Sequence, residues 1–90
     1  MTHNQDFQLC ADGGLQDRVR EFTKGYKVET LQTISTAFTK YLSTGVMPFA
    51  PNIAGVFAEV YHPMQSHDDN MHNVEVARDT LVSIISERGV

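Results

Sequence analysis

The sequence predicts an all-α fold: a compact bundle of about four helices in one domain, residues 15–90, preceded by an N-terminal arm, residues 1–14. Apolar residues recur every three or four positions along most of the chain, which is the spacing of one helix face. Glycines and prolines stand where these stretches end, and a composition of 41% hydrophobic and 20% charged residues is typical of a folded domain. The expected helices cover roughly residues 15–24, 28–44, 51–62 and 67–88.

Glycines are expected to end the first two helices. The apolar stripe of the first helix consists of Leu15, Val19, Phe22 and Tyr26. That of the second consists of Val28, Leu31, Ile34, Phe38, Tyr41 and Leu42. Gly25 and Gly45 follow these stripes, and each is predicted to adopt the left-handed conformation that closes a helix.

Prolines and polar caps delimit the last two helices. Pro51 suits the first position of the third helix, where no amide donor is needed, and Pro63 stops that helix. Ser66 is the candidate N-cap of the fourth helix, with Asn73 as a competing start. Gly89 is expected to end it. The apolar stripes here are Ile53, Val56, Phe57, Val60 and Tyr61, then Met71, Val74, Ala77, Leu81, Ile84 and Ile85.

The formal net charge of −4 comes from the second half of the chain. Residues 46–90 contain two bases and six acids: Glu59, Asp68, Asp69, Glu75, Asp79 and Glu87. Such a surface attracts basic partners and accelerates their association. We therefore expect Asp68, Asp69, Glu75, Asp79 and Glu87 to steer the chain towards a basic surface on another protein.

Nucleic-acid binding is not favoured, because it requires clustered cations that neutralise phosphates. The one basic cluster consists of Arg18, Arg20, Lys24 and Lys27, and acidic residues interrupt it.

Cysteine content and hydropathy predict a cytoplasmic protein without a membrane segment. Cys10 is the only cysteine, which excludes an internal disulfide and suits a reducing compartment. The first residues lack the basic and apolar regions of a signal peptide. No apolar run approaches the length that a transmembrane helix requires.

No motif predicts catalysis or a bound cofactor. Cys10 could act as a nucleophile, but a small apolar residue is the favoured interpretation. Gly13 and Gly14 lack the surrounding pattern of a phosphate-binding loop. His67 and Asp68 spell the pair found in metal-dependent phosphohydrolases, yet the further ligands of that much larger fold are missing. We therefore predict a protein that is not an enzyme.

A metal site remains an alternative around the start of the fourth helix. His62, His67, Asp68 and His72 offer imidazole and carboxylate ligands suited to zinc, nickel or copper. Their spacing matches no established metal motif. Exposed histidines at an acidic helix entry are the favoured interpretation.

Apolar residues near the connectors are the candidate contacts to a partner protein. Phe49 and Met64 flank the third helix, and Tyr61 lies near its end. Methionine and phenylalanine at such positions often form binding surfaces. Filling the ends of the bundle is the favoured interpretation, and those that are exposed would form the anchor of a partner interface. The same surface would serve self-association into a homodimer.

One stretch resembles a known family. Lys24-Gly25, Val28-Glu29, Ile34-Ser35, Lys40-Tyr41-Leu42, Pro48 and Val60-Tyr61 are similar to the helical pattern of small bacteriocin immunity proteins. The resemblance covers about 45 residues and implies a helical protein of the immunity type. The scarcity of lysine and the helix after Pro63 depart from that pattern, so no functional residue is carried over.

The sequence thus predicts a small non-enzymatic protein-binding module that acts by stoichiometric binding to a partner. An inhibitor or regulator encoded by a phage or mobile element, of the anti-host or anti-defence type, is the favoured class. A toxin-immunity protein and a metal-binding protein are the alternatives.

Overall fold

Four helices make up the fold in the computed structural model, which describes residues 14–47 and 50–89. They are α1 (Leu15–Phe22), α2 (Val28–Thr44), α3 (Pro51–Val60) and α4 (His67–Glu87). No strand occurs in these two ranges, so the predicted all-α bundle is confirmed. Among the described helices, none combines the length and the apolar character needed to cross a bilayer.

The core consists largely of residues from the predicted apolar stripes, but Phe22, a stripe residue of α1, is 39% exposed. The long helices α2 and α4 pack against each other most extensively, and α1 packs mainly on α4. The buried apolar side chains are Leu15, Val19, Leu31, Ile34, Ala37, Phe38, Ile53, Val56, Val60, Val74, Ala77, Leu81 and Ile84.

The prediction that Gly25 ends the first helix is wrong. α1 ends at Phe22, and among the described residues only Gly45 and Gly89 have positive φ. After α1 the chain turns through hydrogen bonds between residues three positions apart. The Lys24 amide donates to the Glu21 carbonyl at 3.3 Å. Thr23 then accepts from the Tyr26 amide at 2.9 Å. Because these bonds span only three residues, no left-handed residue is required.

The other two predicted glycine stops are confirmed. Gly45 closes α2 with φ 77°, and its amide donates to the Tyr41 carbonyl at 2.7 Å. Gly89 follows α4 with φ 76°. Glycine adopts this region without the steric penalty that a side chain would impose.

Gly55 allows α1 to lie close to α3. A Cβ atom at this position would be 3.3 Å from Cζ of Phe22. The absence of a side chain at Gly55 thus leaves room for this aromatic ring.

Ser66, not Asn73, begins the last helix. The Ser66 Oγ accepts a hydrogen bond from the Asp69 amide at 3.1 Å, which is the standard N-cap contact. Asp68 and Asp69 occupy the first turn, where acidic side chains stabilise the positive end of the helix.

Candidate partner-binding site

A tight turn joins α3 to α4. The Gln65 amide donates to the His62 carbonyl at 2.9 Å, which closes a four-residue turn. Pro63 holds the second position, where its restricted φ favours the turn, and Met64 holds the third. We call residues 62–65 the Met64 turn.

Asn70 of α4 fixes the first residue of the Met64 turn. Its side chain is only 2% exposed, and its Oδ1 accepts from the His62 amide at 3.0 Å. Its Nδ2 donates to the His62 carbonyl at 2.9 Å. The amide of Asn70 thus pairs with both polar groups of one backbone residue, as a neighbouring peptide would in a sheet.

Asn73, one helical turn later, holds both flanks of the same turn. Its Nδ2 lies 3.1 Å from the Val60 carbonyl at the end of α3 and 3.1 Å from Oε1 of Gln65. Asn73 is also buried. No buried side-chain nitrogen or oxygen in the described ranges lacks a hydrogen-bond partner.

An aromatic cluster supports the entry into the Met64 turn. Tyr61 stacks on Phe57 with 4.9 Å between ring centroids and 20° between planes. Phe57 in turn makes edge contacts with Phe38 at 6.1 Å and Tyr41 at 5.2 Å. Tyr61, a predicted partner contact, is partly buried and stacks on Phe57 of α3.

Met64 projects from this fixed backbone into solvent. Its side chain is 96% exposed, more than any other large apolar residue in the described ranges. Val82 is 48% exposed and lies in the second half of α4. Met64 therefore does not fill an end of the bundle. Its exposure suits a contact with another molecule.

The predicted steering acids fall into two groups. Asp68 and Asp69 are exposed directly after the Met64 turn. Glu75 and Asp79 follow Asp68 by seven and eleven residues, so all three share the exposed face of α4. Asp79 forms an ion pair with its neighbour, because its Oδ1 lies 2.8 Å from Nε of Arg78.

Glu87 lies at the opposite end of α4 and is neutralised within the chain. Its two carboxylate oxygens each accept from Arg20 of α1 at 2.9 Å. The hydrogen bond from Arg20 lowers the pKa of Glu87, and the same bond raises the pKa of Arg20. Glu87 follows Asp68 by 19 residues, about 28 Å along the helix axis, so it does not belong to the same patch.

Besides Arg78, three arginines bind groups of the protein itself. Nη2 of Arg18 donates to the Glu59 carbonyl at 3.3 Å, and Arg20 binds Glu87. Arg88 donates to the carbonyls of Tyr26 and Lys24. The two arginines of the predicted basic cluster therefore contribute to helix packing.

The candidate metal ligands stay apart. His62, His67, Asp68 and His72 are all exposed. Within the described ranges, no three His, Cys, Asp or Glu side chains lie close enough together to hold a metal ion. Phe49 and Cys10, and the N-terminal arm apart from Gly14, lie outside the described residues.

Asn70 and Asn73 are the residues that sequence analysis missed. With Val74 and Ala77 they form the pattern i, i+3, i+4, i+7, which places both amides on the buried face of α4. A polar residue within an apolar stripe signals a specific buried hydrogen bond, and this signal was present in the sequence.

Comparisons with protein-family models, curated proteins and solved structures found no match to this chain. The resemblance to bacteriocin immunity proteins thus rests on its residue pattern alone.

Proposed function

We propose that this chain is a small non-enzymatic binding module that acts by stoichiometric binding to another protein through the Met64 turn. The observation that carries the proposal is a methionine side chain 96% exposed on a backbone held by buried amides. The favoured role is that of an inhibitor or regulator encoded by a phage or mobile element, acting in the cytoplasm. Its support is the acidic, motif-free composition of the chain, which is typical of that class.

A fixed backbone favours binding because little conformational freedom is lost when the partner docks. Residues 60, 62 and 65 are held by Asn70 and Asn73, so only the Met64 side chain is ordered on binding. Methionine suits such a contact because its unbranched, polarisable side chain adapts to an apolar pocket.

The surroundings of Met64 define the chemistry of the partner. Asp68 and Asp69 are exposed nearby in the chain, in the first turn of α4. The complementary surface is an apolar pocket bordered by lysine or arginine side chains. Opposite charges at the rim mainly accelerate association, while the buried apolar contact sets the affinity.

The alternatives receive no comparable support. The candidate metal ligands are not gathered in the described ranges. An immunity-type role would use the same kind of contact, with a toxin as the partner. It is thus one outcome of the experiment below and needs no separate site.

Affinity capture with matched variants tests the proposal. Wild type, Met64→Gln and Val82→Gln are used to capture proteins from the native host. Val82→Gln is the control, because it makes the same kind of change at another exposed apolar residue of the described chain. The expected result is a protein retained by wild type and Val82→Gln but lost with Met64→Gln.

The captured protein is then purified and titrated. We expect a one-to-one complex that Met64→Gln weakens by about tenfold to a hundredfold, the effect of losing one central apolar contact. Neutralising Asp68 and Asp69 together should slow association at low salt, whereas Asp79→Asn should have a smaller effect, because Arg78 already pairs with Asp79. A partner that binds Met64→Gln as tightly as wild type would contradict the proposal.

A further inference from the structure

A groove runs along the outer side of α2, away from the Met64 turn in sequence. It encloses about 550 Å³ between Glu29 and Lys40, with Ile53 of α3 on one side. A smaller cavity of about 180 Å³ continues it towards Ala50 and Asn52. We call this feature the α2 groove.

Four of the exposed residues that line the α2 groove lie on one line, and Gln32 lies beside it. Glu29, Thr33, Thr36 and Lys40 are spaced by four, three and four residues, the spacing of a coiled-coil seam. The line is about 16 Å long. It carries a negative charge at its first residue, a positive charge at its last, and short threonine side chains between them.

This order of charges is self-complementary in one orientation only. If a second copy of α2 lies antiparallel, with the two-fold axis midway between Thr33 and Thr36, each Glu29 faces Lys40 of the second copy. Each Thr33 then faces Thr36 of the second copy. A two-fold interface makes every contact twice, so both charge pairs form together. A parallel arrangement would instead place like charges opposite each other.

We infer that the α2 groove is the interface of an antiparallel homodimer of this chain. Burial of Thr33 is compatible with this, since its hydroxyl already donates to the Glu29 carbonyl at 3.0 Å. Its donor therefore keeps a partner when water leaves the groove. Ala37 and Ile53, each only 4% exposed within one chain, form the apolar base of the α2 groove.

The dimer is expected to be weak and sensitive to salt. The seam is short and polar at its centre, and exposed ion pairs contribute orientation more than affinity. The inference does not depend on the proposed function, because Met64 lies outside the α2 groove. Met64→Gln should leave dimerisation unchanged.

Charge exchange tests the inference by sedimentation at low salt over a range of protein concentrations. Glu29→Lys and Lys40→Glu each convert two attractive pairs into two repulsive ones, so each should raise the dimer Kd by at least about tenfold. The double variant restores opposite charges and should return the Kd to near the wild-type value. Lys24→Glu is the control, since it makes the same charge change at an exposed residue outside the groove.

Sedimentation of the wild-type chain by itself can overturn the inference. A wild-type chain that sediments as a monomer up to about millimolar concentration overturns it. So does a dimer that both single reversals leave intact, or one that the double variant fails to restore. Thr36→Arg, which fills the centre of the seam, should abolish the dimer, and circular dichroism checks that each variant remains folded.

Discussion

The two ends of α4 are attached to the rest of the bundle by opposite means. At the start, the neutral buried amides of Asn70 and Asn73 bind the backbone of the preceding connector. At the end, exposed arginines make the contacts: Arg20 binds Glu87, and Arg88 donates to carbonyls after α1. The side chains of Arg20 and Glu87 are 42% and 58% exposed.

This difference separates a rigid end from an adjustable one. A buried hydrogen bond is costly to break, since its partner is left without water, and it does not respond to salt. An exposed ion pair contributes little, and salt or acid weakens it. The proposed partner site lies at the rigid end, where a fixed backbone is useful.

Asn70→Ala should produce the largest effect, because it leaves the His62 amide without a partner and removes one of the two hydrogen bonds to the His62 carbonyl. We expect the free energy of unfolding to fall by about 2–4 kcal/mol, measured by urea denaturation. The control is Asn52→Ala, which truncates an exposed asparagine of α3 and should change stability by less than about 0.5 kcal/mol. If Asn70→Ala and Asn52→Ala lower the free energy of unfolding equally, the buried amide of Asn70 does not hold the start of α4 in place.

Ser66→Ala should produce a smaller loss at the same end. It removes the oxygen that accepts from the Asp69 amide, so the free energy of unfolding should fall by about 1 kcal/mol. Ser83→Ala makes the same change on the exposed face of α4 and should be neutral. If Ser83→Ala costs as much as Ser66→Ala, the cap does not stabilise the helix.

Glu87→Gln should produce the smallest effect, and one that depends on pH. Arg20 lowers the pKa of Glu87 below its ordinary value of 4.5, so the folded state favours the carboxylate. The pair therefore stabilises the fold above pH 4.5, and its contribution is lost as the pH falls through the lowered pKa. Thermal unfolding of wild type and Glu87→Gln should differ at pH 7 and converge in strong acid.

High salt should reduce the same difference at pH 7, because the pair is exposed. Glu75→Gln, at an exposed position of α4, controls for the loss of one negative charge. A difference between wild type and Glu87→Gln that persists in strong acid would show that the ion pair is not its source.

Much of the fold was predictable because helix periodicity is a local property. The stripes identified the core of all four helices, and Gly45, Pro51, Ser66 and Gly89 marked boundaries that the structure confirms. The prediction at Gly25 was wrong because a residue in the left-handed conformation is only one of several ways to end a helix. The path after α1 depends on tertiary contacts such as those from Arg88.

The candidate site was predictable only in part. The acidic entry of α4 follows from residue type and position, whereas the exposure of Met64 does not, because an apolar side chain near a connector could equally fill the end of the bundle. The pairing of Asn70 with His62 depends on how α3 and α4 meet, which no local pattern encodes. The distance of Glu87 from the other acids follows from the length of α4. The ion pair of Glu87 with Arg20 joins residues 67 positions apart in the chain, and no local pattern predicts it.

Amide hydrogen exchange at His62 tests the central claim, that the backbone carrying Met64 is fixed. The His62 amide donates to a buried side chain, whereas the Gly89 amide donates to the Ser86 carbonyl at an exposed helix end. We predict that His62 exchanges at least about 100-fold more slowly than Gly89, and that Asn70→Ala removes this protection while the α2 amides keep theirs. A His62 amide that exchanges as fast as Gly89 in the wild-type chain would contradict the account.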